Sequence, residues 1–153
     1  MIRKSGVALA LIVMALAATG AELSLEQGTL SAEKTVSLKM IFTAGKDAAT
    51  GVQFDLEYDA AALDITVEGG AVAQQAGKDV RSAQIRPGKL RVLIFGFNRN
   101  TLSDGVVAVV HASFKGGDGA KTLPVHITAA AGTTADAEPI PVAAKDGSVR
   151  VEK

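Results

Sequence analysis

Three carboxylates at every second position, Asp55, Glu57 and Asp59, form the densest group in the chain that could do chemistry. In an extended strand, side chains of equal parity project to one side, about 7 Å apart. Such a row could hold a hard cation or supply the two acids of glycoside hydrolysis. Hydrolysis, however, needs carboxyls that face each other across a substrate cleft at roughly 5–10 Å, and one flat strand provides no cleft. The row therefore reads as a solvated face that also discourages association between sheets. His111 and His126 lie inside apolar runs, where an imidazole is expected to be an ordinary hydrogen-bonded side chain. No serine sits in a Gly-flanked nucleophile elbow, and no Ser, His and Asp motif is recognisable. Gly116-Gly117-Asp118-Gly119 lacks the Lys-Ser/Thr ending of a phosphate loop and precedes a strand, so it reads as a turn. No catalytic residue, metal ligand or cofactor is expected, and the chain reads as not an enzyme.

The 153 residues hold 16 basic and 16 acidic side chains and no Cys. Arg3 and Lys4 precede an apolar run from Val7 to Ala18, and Thr19 and Ala21 follow with small side chains; this is the layout of a secretory signal peptide cut near Ala21. The run is short for a bilayer span, no Cys follows it to carry a lipid, and no membrane anchor is expected. Removing Met1 to Ala21 leaves a formal charge of −2, fourteen basic against sixteen acidic residues. That balance offers no footprint for nucleic acid or anionic lipid. The expected product is an exported domain over residues 22–153, periplasmic or extracellular, stabilised by packing without disulfides.

Short runs rich in Val, Ile, Leu, Thr and Phe, separated by Gly, Asp and Asn, predict an all-β fold. Strands are expected over Leu23 to Glu26, Thr35 to Thr43, Gly51 to Asp59, Leu63 to Glu68, Leu90 to Phe97, Val106 to Phe114, Thr122 to Ala130 and Gly147 to Glu152. The last is expected to pair with the N-terminal strand. Gly51 to Asp59 alternates most cleanly, with Val52, Phe54, Leu56 and Tyr58 inward and Gln53, Asp55, Glu57 and Asp59 outward. Leu90 to Phe97 is apolar at both parities, and only Arg91 marks a wet side. Either a loop such as Ala129 to Ala144, read as a loosely ordered excursion, covers its outer side, or the strand carries an exposed patch for a partner. Gly69 to Arg86 is weakly patterned and reads as a loop with one or two short edge strands, closed by the Pro87-Gly88 turn. The spacing of turn signals favours a two-sheet sandwich.

The order of landmarks resembles a cohesin domain. It runs Gly51-Val52-Gln53-Phe54-Asp55-Leu56-Glu57-Tyr58-Asp59, then Leu63, then Arg91-Val92-Leu93-Ile94-Phe95-Gly96-Phe97-Asn98, then Ser103-Asp104-Gly105-Val106-Val107-Ala108, and finally Asp146-Gly147-Ser148-Val149. The resemblance implies a nine-stranded jelly-roll β-sandwich, similar in fold to carbohydrate-binding modules, that binds the dockerin modules of polysaccharide-degrading enzymes on one sheet face. It also implies that Gln53 and Asp55 lie where cohesins carry polar partner contacts and Ile94 where they place a partner-contacting aliphatic residue. Ala60 stands where the family commonly has Pro. The Asn98-Arg99-Asn100-Thr101 stretch is more similar to stand-alone, non-cellulosomal cohesin-like domains, and one domain without companions departs from a scaffold of many.

The expected function is a secreted interaction or adaptor module whose preformed sheet face docks a protein, dockerin-like or an envelope component, with little reorganisation. Candidate contact residues are Gln53, Asp55, Glu57, Arg91, Ile94, Asn98 and Asn100. The loop from Asn98 to Gly105 could recognise a partner or simply use Asn and Gly to turn the chain. Two alternatives stay open: a carbohydrate-binding module for a polysaccharide, opposed by the absence of Trp and the single Tyr58, and a structural subunit of a secreted or envelope assembly.

Overall fold

The computed structural model describes residues 20–31, 34–117 and 119–152. The expected signal peptide lies outside these, apart from Gly20 and Ala21. In chain order the elements are β1 (Ala21–Leu25), β2 (Gln27–Leu30), β3 (Thr35–Thr43), β4 (Gly51–Glu57), β5 (Leu63–Gly69), α1 (Ala71–Gln75), β6 (Asp79–Arg86), β7 (Lys89–Phe95), β8 (Gly105–Phe114), β9 (Lys121–Thr133), β10 (Pro139–Lys145) and β11 (Gly147–Val151).

The all-β expectation holds, with eleven strand segments among the described residues where nine were expected. One layer runs β5-β8-β3-β1, the other β6-β7-β4-β9, and β10 joins them by pairing with both β1 and β9. Period-two alternation drives the stacking. Leu38, Met40 and Phe42 of β3 face Phe54 and Leu56 of β4 across one core, each 0–1% exposed. The same alternation buries Val92 and Ile94 of β7 and Val110 and Ala112 of β8.

The extra segments arise from two breaks. The N-terminal strand bends at Glu26, so β1 pairs in parallel with β10 and β2 in parallel with β11. The expected pairing of the chain's two ends is therefore made by β2 and β11. The segment Ala129 to Ala144 is not a loose excursion: β9 continues to Thr133 and Pro139–Lys145 forms β10. Pro139 and Pro141 hide its strand character, yet both lie where β10 pairs only with β9, before its contact with β1 begins at Val142, so no ladder bond is lost.

Gly69 to Arg86 likewise holds more structure than expected. After Gly70 the short helix α1 closes the open side between edge strands β5 and β6 and buries Val72 and Ala73. A side chain at Gly70 would meet the Val106 carbonyl oxygen at 2.4 Å, so this close approach of helix to β8 requires glycine. The Pro87-Gly88 turn is as expected. Gly88 has φ +84, and its carbonyl accepts the Tyr58 N–H at 3.0 Å.

Asp146, at the break between β10 and β11, ties that junction to β9. Its Oδ1 accepts the Ile127 N–H at 2.8 Å and its Oδ2 lies 2.8 Å from His126 Nδ1. The contact with His126, followed by the Ile127 N–H, holds the Asp146 carboxyl below its ordinary pKa. A depressed carboxyl stabilises the fold above its unfolded value, about 4, and loses that contribution as pH falls through the folded value. Because the side chain is half exposed, Asp146→Ala is expected to lower stability by only about 1 kcal/mol at pH 7. Urea unfolding at pH 7 and pH 3 checks this; the gap between the wild-type and variant proteins should narrow at the lower pH.

Candidate docking face

The outer face of the β6-β7-β4-β9 layer is where most of the sequence-predicted contact residues meet. Register places Gln53 opposite Leu93 and Ala131, Asp55 opposite Arg91 and Thr128, and Glu57 opposite Lys89 and His126. Arg81 and Ala83 of β6 extend the same rows beside Leu93 and Arg91. Side chains paired across strands share a face, so these residues form one surface.

At its centre Asp55 is 1% exposed, and the expected row of wet carboxylates is corrected at this position. Arg91 covers it from the neighbouring strand, donating from Nε to Oδ1 at 2.8 Å and from Nη2 to Oδ2 at 3.0 Å. Lys89 Nζ stands 3.8 Å from Oδ2. The Arg91 hydrogen bonds hold the Asp55 carboxyl below its ordinary pKa against the opposing effect of burial, and they raise the guanidinium's own pKa. Asp55 thus has both oxygens engaged from within, and the group shown to solvent is Arg91. Glu57 is tied to Arg86 at 3.0 Å, while Gln53 is exposed.

Ile94 is corrected outright: at 1% exposure its side chain lies in the core and cannot touch a partner. The inward parity of β7 is Leu90, Val92 and Ile94, so the outward one is Arg91, Leu93 and Phe95. Leu93 is 37% exposed, Phe95 40% and Phe97 fully exposed, with Ile85 of β6 at 49%. Sequence reasoning left these exposed apolar side chains off its list of candidates. Arg91 was the available signal, because a wet arginine fixes Leu93 and Phe95 on its own side of the strand. Among the described residues no loop covers them. A shallow depression of ≈ 390 Å³ beside them is lined by Gln53, Leu93, Phe95, Ala131 and Thr133.

Asn98 and Asn100 serve the fold. Asn98 Nδ2 donates to the Ala76 and Gly77 carbonyls at 3.1 and 3.2 Å, and Asn100 Nδ2 donates to Ala76 at 3.1 Å. The buried Lys78 ammonium donates to Asn98 Oδ1 at 2.6 Å and to its carbonyl at 3.2 Å, and burial lowers the Lys78 pKa. Both asparagines therefore satisfy the backbone that follows α1, and of the two readings of this loop the structural one describes them.

The family profile described as Cohesin domain matches residues 21–151. No curated protein matches the chain. Among solved structures, the sixth cohesin of scaffoldin B from Acetivibrio cellulolyticus, solved in complex with a Cel5 dockerin, is 20% identical, with a TM-score of 0.74 over 88% of this chain and 100% of that one. A non-cellulosomal cohesin from the archaeon Archaeoglobus fulgidus is 14% identical at a TM-score of 0.71, covering 88% and 92%. A cohesin module from a Clostridium perfringens family 33 glycoside hydrolase is 14% identical at 0.73, covering 88% and 98%. With a profile match running from the first strand to the last, over a two-layer sheet whose order and register are given above, the chain belongs to the cohesin domain family.

Proposed function

We propose that this protein is an exported, non-catalytic interaction module that docks a dockerin-type protein on the outer face of β6-β7-β4-β9. The observation that carries this reading is the exposed apolar group Ile85, Leu93, Phe95 and Phe97, on the same layer as the fixed Arg91–Asp55 pair and uncovered among the described residues. A stable complex buries about 800 Å² on each partner, and a rigid surface loses little entropy on docking. The Acetivibrio relative solved with a dockerin supports the partner class, and the signal-like layout of Met1 to Ala21 supports export. A link to polysaccharide degradation draws support from the Clostridium relative, which is part of a glycoside hydrolase.

The test is calorimetric titration of the mature domain with a panel of recombinant dockerin modules. Leu93→Asp, which puts a charge at the centre of the apolar group, is expected to weaken binding roughly thirtyfold. Unchanged affinity would remove this face from the reading, and silence across the whole panel would remove the dockerin class. A second reading, direct polysaccharide contact, is favoured by exposed Phe95 and Phe97, since aromatic faces stack on sugar rings. Retention on insoluble polysaccharide that is lost in Phe97→Ser would select it.

A further inference from the structure

On the sheet opposite the docking face, we propose that Ser37 is a base-activated nucleophile that accepts an acyl group from an activated ester. Three adjacent strands build the group. Ser37 of β3 lies directly across from His111 of β8, and Glu68 of β5 lies diagonal to His111, two residues along from its partner Thr66. The backbone N–H and C=O of Lys39 both turn away from β8, toward Glu26. Two residues earlier, Ser37 has the same orientation, which makes Ser37 and His111 a non-hydrogen-bonded pair, the arrangement that brings opposing side chains closest.

The polarity of the contacts is that of a general base. His111 Nε2 lies 2.9 Å from Glu68 Oε1, and a carboxylate only accepts, so Nε2 carries the proton. Nδ1 is then the acceptor, and the Ser37 hydroxyl 2.8 Å away donates to it. Nucleophile, base and orienting carboxylate thus stand in sequence within hydrogen-bond reach. Ser37 is exposed. Pairing of β1 with β3 ends at Met40, and β2 then runs against β3 while pairing with β11.

In the step, Ser37 Oγ bonds to the ester carbonyl carbon as its proton passes to His111 Nδ1. The bond from that carbon to the leaving oxygen then breaks, the leaving group departs, and the imidazolium beside Glu68 returns its proton to water. General-base assistance contributes about 10²–10⁴ in rate. Ser37 is exposed on an open sheet face, where no set of preorganised donors is seen among the described residues to stabilise an oxyanion, so the resulting unactivated serine ester hydrolyses slowly. Ser37 is accordingly a stoichiometric acyl acceptor rather than the centre of a turnover enzyme, and Glu68 is a positioning residue.

The probe is p-nitrophenyl acetate added to the folded full-length domain, with peptide mass mapping. One acetyl group on Ser37 and a stoichiometric burst of p-nitrophenolate are expected. Ser37→Ala, at an exposed position, should lose the burst and keep the unfolding midpoint. His111→Gln should slow labelling of Ser37 about 100-fold. Glu68→Ala should slow it about tenfold and broaden away the His111 Nε2–H proton resonance, which a purely structural contact at equal stability would not couple to the rate. Acetyl groups spread evenly over Ser24, Ser113 and the lysines, or Ser37 labelling at an unchanged rate in His111→Gln, would overturn the proposal.

Discussion

Phe54→Ala is expected to lower the unfolding free energy by about 3–5 kcal/mol, measured by urea denaturation at pH 7. Phe54 is 0% exposed and sits mid-strand in β4, which is flanked by β7 on one side and β9 on the other. Its ring lies in the buried apolar cluster between the two layers, so truncation removes apolar contact and leaves a void that two hydrogen-bonded neighbours prevent β4 from closing. With no disulfide to limit the unfolded ensemble, that loss is a large part of the whole stability of a domain this size. A loss below about 1.5 kcal/mol would mean that the layers can collapse onto the gap, and that the core is less closely packed than its burial implies.

The contrast between Phe54 and its neighbour Asp55 marks how far the sequence can be read. Strict alternation locates β3, β4, β5 and β11 to within a residue or two, because burial on one side imposes period two on side-chain chemistry, while β7 and β8 show as short continuous apolar runs. Where burial is not one-sided the pattern fails. The edge strand β6 exposes almost every residue, so nothing in its order betrays eight residues of ladder. Strand β10 masks itself with two prolines, and α1 is one turn of helix that shows no periodicity. At the docking face, parity correctly sends Gln53, Asp55, Glu57 and Arg91 outward, but it cannot say that Arg91 folds over Asp55. That depends on cross-strand register, as does the meeting of Ser37, His111 and Glu68 from three strands. Ile94 is the reverse case, since a wet Arg91 already implied that the parity of Ile94 faces the core.

Register also sets the second large effect. Arg91→Met is expected to destabilise the domain clearly at pH 7, though by less than the loss of one partner from a fully buried pair, because the arginine itself is 40% exposed. The methionine keeps the packing of the aliphatic stem, so the loss reports the carboxylate left behind at 1% exposure, with only Lys89 at 3.8 Å to offset it. In the wild-type protein the Asp55 pKa is depressed, so its stabilisation is full above about pH 4 and fades as pH falls through the folded value. In Arg91→Met burial dominates and pushes the pKa of Asp55 upward, so acid neutralises the stranded charge and relieves the variant. The stability gap between the two proteins should therefore be widest at pH 6–8 and close steadily toward pH 3. Asp55→Asn with Arg91→Met, which removes the charge as well as its partner, should recover most of the loss at pH 7. A gap that is constant from pH 7 to pH 3, or a double variant no better than the single one, would show that Arg91 acts through its packing and that the Asp55 carboxylate is not held by charge.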